Sequence, residues 1–529
     1  MSLSDDALGG AQAADPVVVP ARPSSRRTMV RGGSWNALAQ LSPVVVNIAL
    51  TPYVIGEVGL RRFGLYMLLL TIADFLATFD GGIYRSAMRF FALYAGDGDR
   101  AATTRLICGL TAVIAAVGVV LFTVLFFSAE ILLALFRVPD DLRAEGAFVL
   151  KTLAVMVAFG LLRGVFAAVL NAHQRFAYTS VVTVFHYGIY AVGVIISLTG
   201  DHGLRGIALT LVVQTVVSTI LLAVPAAALG SLAHVGLPSP QERRTFLRFA
   251  SRAQVVGLAD LVNLQSQPLV IGGFLDVARV GLYSSGANFA GQLRRLPMNA
   301  INPAGAILAS TFSERGADAT REEFARLQTL WVQGVTGWIA VAAGSAWFGV
   351  TAWLGDGFRL AGVVAVVLLL GALARLWTGM VAVYCQSIGH PEIEARSGVL
   401  TLVLNLVLSL ALVMPFGVVG VVSAASVSQL LGSAYLMHLV RTRLGADVPS
   451  FLKDVPVWAS TATVATTVAL ELLVRGWLPQ GPLGLLLAGL AAAPALLVYL
   501  LVLLGPGQAA AAGRTQLRRL RPVAAPGHT

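Results

Sequence analysis

Fourteen long apolar runs constrain this 529-residue chain more than any other feature of its sequence. A helix that crosses a bilayer needs about 20 mostly apolar residues, and charged residues, glycine or proline bound each run near that length. Only 12% of the residues are charged, against about 25% in soluble proteins. We therefore predict an all-α polytopic membrane protein with about fourteen transmembrane helices, which excludes a soluble enzyme. The runs are residues 33–55, 63–84, 106–127, 147–170, 179–199, 207–229, 252–273, 281–310, 329–354, 360–384, 397–414, 418–439, 456–474 and 482–504.

The basic residues predict the orientation of these spans. If the N-terminus is cytoplasmic, 24 of the 37 basic residues lie in cytoplasmic loops and tails, eight lie outside, and five lie within spans. This bias follows the positive-inside rule and places both termini in the cytoplasm. Because the arginines are scattered between apolar runs, we attribute the charge to loops and expect no nucleic-acid partner. The polar segment 1–32 lacks an apolar core, so we expect a disordered tail rather than a signal peptide.

Two short sequence pieces occur twice and predict an internal duplication. Pro52-Tyr-Val-Ile-Gly56 precedes Arg62-Phe-Gly-Leu-Tyr66, and Pro268-Leu-Val-Ile-Gly272 precedes Arg279-Val-Gly-Leu-Tyr283. The offset of 216 to 217 residues equals six spans, so both copies keep the same orientation, as in the parallel repeats of some transporters. We predict an N-lobe at 33–230, an amphipathic cytoplasmic linker at 231–251 and a C-lobe at 252–440. Two further spans at 456–504 and a cytoplasmic tail at 505–529 follow.

Ionisable residues within the spans indicate the chemistry of the substrate. Charged groups are costly in hydrocarbon and mark substrate or ion pathways. The five cations outnumber the acids, and a buried cationic surplus needs an anionic partner. Guanidinium groups match phosphate in bidentate geometry, so we expect a phosphate- or pyrophosphate-bearing substrate. The cations are Lys151, Arg163, Arg294, Arg295 and Arg375, and the candidate coupling or gating acids are Asp74, Asp80 and Asp260.

Several of these groups also have simpler interpretations. Lys151 and Glu471 lie near span ends, where their side chains can extend to the membrane interface. His186 is more typical of a core histidine with satisfied hydrogen bonds, and Asp80 can pair with an arginine of its own helix. Cys108 and Cys385 are far apart in the sequence, so we expect neither a disulfide nor a metal site.

Prolines interrupt the same spans that carry the repeat. Pro52 and Pro268 occupy matching positions of its two copies, and Pro297 and Pro303 lie in the eighth span. Kinked or broken helices at matching positions are typical of alternating-access transporters. We therefore predict that these four prolines act as hinges.

Further motifs lie around these positions: Leu50-Thr-Pro-Tyr-Val-Ile55, Gly59 to Tyr66, Asp80-Gly-Gly82, Val280-Gly-Leu-Tyr283, Leu296-Pro297, Asn302-Pro303 before Ser313-Glu314, and Gly389-His-Pro391. Together they resemble the motifs of Wzx-type flippases of the multidrug/oligosaccharidyl-lipid/polysaccharide (MOP) superfamily. The resemblance covers roughly residues 28–450 and implies a two-lobed helical bundle with a central cationic cavity. It also implies export of undecaprenyl-pyrophosphate-linked oligosaccharide units across a bacterial plasma membrane, with membrane lipids, a polysaccharide polymerase and glycosyltransferases as partners.

Other functions remain open at this point. The chain has Gln265-Ser-Gln267 where many relatives carry an acid, so a proton- or sodium-coupling role at that position is in doubt. No cofactor is expected. A lipid II flippase shares the pyrophosphate chemistry, whereas a multidrug or cation antiporter predicts an acidic cavity. A membrane glycosyltransferase or polymerase usually needs a long outer loop, and the longest here is 128–146.

Overall fold

The computed structural model describes residues 26–77, 100–229, 265–444 and 455–504, together with four isolated residues between them. Every regular element in these ranges is helical, which confirms the all-α prediction. The predicted linker and most of both tails lie outside the described residues. The helices are α1 (Arg26–Ala77), α2 (Arg100–Leu135), α3 (Asp140–Ala172), α4 (Phe176–Thr199), α5 (Gly203–Ala227), α6 (265–274), α7 (Val277–Ala300), α8 (Asn302–Leu354), α9 (Arg359–Trp377), α10 (Gly379–Ser387), α11 (Pro391–Leu444), α12 (Val457–Val474), α13 (Pro482–Ala492) and α14 (Pro494–Leu504).

Ten helical stretches of the described residues are long and apolar enough to cross a membrane. Three long helices each contain one glycine with non-helical backbone: Gly59 (φ 79°), Gly316 (φ 80°) and Gly417 (φ 59°). Positive φ is readily available only to glycine, and each of the three lies between two predicted runs. α1 and α11 therefore each correspond to two runs, whereas the eighth run, residues 281–310, is divided between α7 and the first part of α8. The count of fourteen stays a prediction, because residues 78–86 and 251–264 are outside the described residues.

The buried apolar side chains form three clusters. The largest runs from α1 to α5 and includes residues of α6, α7, α9 and α11. A second cluster joins α8, α10 and α11, from Ile301 to Val440. The third lies between α7, α8 and α9, from Phe289 to Leu376. The first cluster thus extends from the N-terminal helices into the second half, and the buried residues of the other two clusters lie within the second half.

Prolines within the helices release carbonyl groups that side chains then take up. Proline has no N–H, so the carbonyl four residues before it loses its helical hydrogen bond. For Pro43, Pro52, Pro225 and Pro297 a side chain donates to that carbonyl instead, as membrane helices require. The donors are Ser42 to Ala39 (3.0 Å), Trp353 to Ile48 (2.8 Å), Tyr178 to Leu221 (2.7 Å) and Trp338 to Leu293 (2.9 Å).

The two copies of the repeat meet at their glycines. A Cβ added to Gly64 would lie 1.8 Å from the Val277 carbonyl oxygen, and one added to Gly281 would lie 3.1 Å from the Gly64 Cα and 3.0 Å from Leu60. The repeat pairs Gly64 with Gly281 and Leu60 with Val277, so each copy contacts its own counterpart. Reciprocal contacts of this kind define an approximate twofold axis. Here α1 and α7 pack backbone to backbone, on the side that the basic residues predict to be outer.

Candidate functional site

Four of the five predicted cations lie on helices of both halves. Arg163 is on α3, Arg294 and Arg295 are adjacent on α7, and Arg375 is in the last turn of α9. Asp74 is on the second part of α1. Asp80 and Asp260 lie outside the described residues, so their roles stay predictions from the sequence.

Tyr187 on α4 lies near charged residues of both halves. Its phenol interacts electrostatically with Arg163, Arg295 and Asp74. Asp74 is surrounded by protein on most sides, yet its side chain is exposed. A side chain with both properties lines a cavity rather than facing lipid.

Arg294 extends the same group into the second half. Its guanidinium interacts electrostatically with Arg375, Arg295 and Tyr283. Arg294 and Arg375 are half-buried, whereas Arg295 is exposed and donates to the Gln292 Oε1 at 3.4 Å. Like charges held together in a partly buried place repel one another, and an anion relieves that repulsion. We call Asp74, Arg163, Tyr187, Arg294, Arg295 and Arg375 the arginine cluster.

Two tryptophans of α8 hold the helix turns that carry these arginines. The Trp338 Nε1 donates to the Leu293 carbonyl, which precedes Arg294, at 2.9 Å. The Trp331 Nε1 donates to the Leu376 carbonyl, which follows Arg375, at 2.6 Å. Seven residues separate the two tryptophans, so they lie on one face of α8. The first carbonyl is available because of Pro297, and the second because the last carbonyls of a helix lack helical partners.

Lys151 is not part of the arginine cluster. Its Nζ lies 5.3 Å from the centre of the Phe126 ring of α2. It precedes Arg163 by twelve residues on α3, which is about 18 Å along a helix. The structure thus separates this predicted substrate-binding residue from the other four, and leaves it over an aromatic face.

His186 agrees with its sequence interpretation, whereas Glu471 does not. The His186 Nδ1 lies 3.1 Å from the Ser218 Oγ and 3.3 Å from the Gln214 carbonyl, so this histidine is satisfied within the core. Glu471 is completely buried, which shows that its side chain does not extend to the interface as predicted. Its position near the end of a predicted span had suggested an exposed side chain.

The tyrosines of the two repeat copies lie in buried polar networks that the sequence did not reveal. The Tyr66 and Tyr190 hydroxyls are 3.3 Å apart. The Tyr283 hydroxyl donates to the Gln267 Oε1 at 3.2 Å, and the Gln267 Nε2 donates to the Asn405 Oδ1 at 3.4 Å. In the described structure Gln267, of the Gln265-Ser-Gln267 segment, therefore has neutral partners. The only sequence signal for these networks was that both repeat copies carry a tyrosine at the same position.

The prolines predicted as hinges have distinct positions. Pro52 and Pro297 lie inside α1 and α7, Pro303 is in the first turn of α8, and Pro268 is buried in α6. The non-helical backbone of α1 is at Gly59 rather than at Pro52. First-turn proline is compatible with a regular helix start, so Pro303 begins a helix rather than bending one. The hinge role of the four prolines stays a prediction.

The Gly389-His-Pro391 motif forms the turn between α10 and α11. Gly389 has φ 85°, and the His390 N–H donates to the Cys385 carbonyl at 2.8 Å. The His390 Nδ1 lies 2.9 Å from the Glu392 Oε1, and this hydrogen bond lowers the pKa of the Glu392 carboxyl. Within the described residues, no three histidine, cysteine or acidic side chains are grouped to hold a metal ion.

A model of one protein family matches more than half of the chain. The family is described as polysaccharide biosynthesis protein, and the match covers residues 29–308. The chain belongs to this family. The match spans the N-terminal half and continues through α7, so it includes Arg163, Arg294 and Arg295 of the arginine cluster. No curated protein matches the chain.

Solved transporters of the MOP superfamily share the fold of this polysaccharide biosynthesis protein. The lipid II flippase MurJ, in an inward closed conformation, superposes with a TM-score of 0.67 at 13% identity, over 89% of this chain and 98% of MurJ. An inward-facing multidrug resistance transporter of the MATE family gives 0.64 at 12% identity, over 77% and 94%. A MOP transporter from Pyrococcus furiosus, described as having a binding pocket of reverse polarity, gives 0.51 at 16% identity, over 79% and 94%. These similarities establish the fold.

Proposed function

We propose that this chain is a MOP flippase that moves undecaprenyl-pyrophosphate-linked oligosaccharide repeat units across the bacterial plasma membrane. The observation that carries the proposal is the arginine cluster. It draws Arg163 from the first half and Arg294, Arg295 and Arg375 from the second. Family membership supports a place in polysaccharide biosynthesis.

The charge of the cluster suits a pyrophosphate. The cluster contains four guanidinium groups and one carboxylate, that of Asp74, so it carries a cationic surplus that a pyrophosphate can balance. Arginine forks bind phosphate oxygens in pairs, and a partly dry surrounding strengthens each contact. The polyprenyl chain remains in the bilayer while the headgroup occupies the cluster.

Alternating access supplies the transport step. On the predicted outer side the halves contact at Gly64 and Gly281, where no space remains for a Cβ. A headgroup that binds both halves can enter from the cytoplasmic side while this contact is closed and leave when it opens. In this proposal the N-lobe is 33–230 and the C-lobe is 252–440, the four prolines act as hinges, and Asp74, Asp80 and Asp260 serve gating or H⁺ or Na⁺ coupling.

A lipid II flippase is the second candidate. MurJ, the structure that bears that description, matches 89% of this chain, and the pyrophosphate chemistry would be the same. A multidrug or cation antiporter is less compatible, because a cationic substrate would be repelled by the arginine surplus. We place both termini in the cytoplasm and expect a polymerase and glycosyltransferases as neighbours in the pathway.

A complementation experiment tests the proposal. A strain that lacks this gene should lose exopolysaccharide or O-antigen, and the wild-type gene should restore it. The Arg294→Gln/Arg295→Gln variant should insert at normal levels and restore none. The matched control is Arg441→Gln/Arg443→Gln, which removes two exposed arginines at the end of α11 and should complement fully.

Two results would contradict the assignment. Normal surface polysaccharide with the Arg294→Gln/Arg295→Gln variant would exclude the arginine cluster as the substrate site. Rescue of a strain depleted of its lipid II flippase, without any effect on surface polysaccharide, would favour the second candidate.

A further inference from the structure

Glu471 is a buried acid that the proposed transport site does not use. It lies on α12 with Thr463 and Thr467, four residues apart in each step, so the three share one helix face. Each has 0% of its side chain exposed. Neither carboxylate oxygen of Glu471 has a hydrogen-bond partner among the described residues.

Within the part of the chain that the structure describes, the helices packed against this face bring no charge to it. α8, α13 and α14 contact α12, and a Cβ on Gly344 of α8 would lie 3.1 Å from the Thr467 Cβ. Residues 329–354 of α8 and all of α13 carry no charged residue, and the one titratable residue of α14 is Tyr499. Its hydroxyl donates to the Gln333 carbonyl of α8.

The charged residue that follows on the chain is engaged elsewhere. Arg475, in the short 3₁₀ turn after α12, lies 3.5 Å from the Asp356 Oδ1, and its guanidinium is 5.1 Å from the centre of the Trp347 ring. Asp356 also pairs with Arg359 at 3.2 Å. These contacts hold the end of α12 to α8 and α9 and direct the Arg475 guanidinium to Asp356 and Trp347.

Two exposed tryptophans show how deep Glu471 lies. Trp458 in the first turn of α12 and Trp477 three residues after its end are 85% and 89% exposed, and tryptophan is enriched at the two membrane interfaces. They are 19 residues apart, about 28 Å along a helix, which matches the hydrocarbon core of a bilayer. Glu471 precedes Trp477 by six residues, so it lies about 9 Å below that interface.

We propose that Glu471 is a proton-binding site, protonated in this conformation, that releases its proton when α12 separates from α8. An ionised carboxylate without a partner is far less stable in such surroundings than a neutral carboxylic acid. On release the O–H bond breaks, the electron pair stays on the carboxylate and the proton passes to water that enters between the helices. The site is independent of which substrate the arginine cluster binds.

Infrared spectroscopy of the full chain in liposomes tests the protonation. At neutral pH the wild type should show the carbonyl absorption of a protonated carboxylic acid, and Glu471→Gln should lack it. Glu471→Gln keeps the shape of the neutral side chain, so folding should be retained. The matched control is Glu314→Gln, which changes an exposed acid of α8 and should keep the band. A band of equal intensity in wild type and Glu471→Gln would overturn the proposal.

A disulfide between α8 and α12 tests the link to helix separation. Gly344→Cys/Thr467→Cys, with Cys108 and Cys385 replaced by alanine, joins positions whose Cβ atoms would lie 3.1 Å apart, slightly less than the separation of about 3.5–4.5 Å that a disulfide spans. In the oxidised protein the acid band should persist to a pH at least about one unit higher than in the reduced protein, a tenfold difference in proton affinity. Equal titration midpoints in both forms would overturn the link between proton release and helix separation.

Discussion

The two halves of the molecule share their backbone contacts and differ in the polar groups that those contacts support. Gly64 and Gly281 meet at equivalent positions of the repeat. Two residues further, Tyr66 pairs with another phenol, whereas Tyr283 bonds the amide of Gln267. Close helix packing therefore restricts the small residues more tightly than it restricts their polar neighbours.

The charged groups differ still more between the halves. The first half contributes Asp74 and Arg163 to the arginine cluster, and the second contributes Arg294, Arg295 and Arg375. A duplicated fold thus surrounds an unequal charge distribution, with most of the cationic surplus on one side. We infer that the second half makes the stronger contacts to a pyrophosphate, and the first half completes its binding.

Neutralising one arginine from each half should produce the largest difference. Arg294→Gln should lower transport about 10- to 100-fold, because it removes a charge-assisted contact worth about 1.5–3 kcal/mol in a half-buried place. Arg163→Gln should lower transport less, about tenfold at most. Surface polysaccharide at matched expression measures both, and a larger loss with Arg163→Gln would reverse the assignment of the halves.

A methyl group at the contact between the repeat copies should open it. Gly64→Ala places a Cβ against the Val277 backbone, and such overpacking costs about 1–3 kcal/mol. We expect a cysteine at Leu60, on the predicted outer side, to react faster with a membrane-impermeant thiol reagent. Gly56→Ala is the matched control, because no atom lies within 4 Å of its added Cβ. Unchanged labelling in Gly64→Ala would show that this contact does not seal the outer side.

Removing the tryptophan donors should distinguish the effect of a hydrogen bond between the halves from that of a hydrogen bond within one half. Trp353→Phe leaves the Ile48 carbonyl of α1 without its donor, and Trp338→Phe does the same to Leu293 beside Arg294. Each unpaired carbonyl should cost about 1–2 kcal/mol, measured by thermal unfolding in detergent. Only Trp338→Phe should weaken binding of a pyrophosphate-bearing lipid. An equal loss of binding in Trp353→Phe would remove the positioning role of Trp338.

We expect the smallest effect, a change in unfolding temperature, from substitutions in two corresponding turns. Between α3 and α4 the residue with positive φ is Gln174 (φ 59°), and between α10 and α11 it is Gly389 (φ 85°). Side chains other than glycine pay about 1 kcal/mol for this backbone. Gln174→Gly should therefore raise the unfolding temperature and Gly389→Ala should lower it. A lower unfolding temperature for Gln174→Gly together with a higher one for Gly389→Ala would mean that these turns do not limit stability.

Much of the fold was predictable from the sequence because membrane helices need long apolar runs. Gly59, Gly316 and Gly417 lie between predicted runs, where the structure places the interruptions. The repeat predicted matching halves, and in the structure its two glycines, Gly64 and Gly281, lie in contact. What the pattern of apolar runs could not give is which faces of the helices meet, since that depends on packing between distant segments.

The candidate site was predictable as a set of charges and not as an arrangement. Arg163, Arg294, Arg295 and Arg375 were identifiable because charge is costly in hydrocarbon. Tyr187, which lies near charged residues of both halves, gave no such signal because tyrosine is common in membrane proteins. Glu471 was misjudged because its nearness to a span end suggested exposure, whereas packing of α8 against α12 buries it.

Transport by the purified protein tests the central claim most directly. Liposomes that contain the protein should move a polyprenyl-pyrophosphate-linked oligosaccharide between leaflets, as measured by the access of an externally added enzyme to the sugar. The wild type should accelerate this exchange over protein-free liposomes, and Arg294→Gln should return it close to the protein-free rate. Exchange by the wild type no faster than in protein-free liposomes would contradict the account.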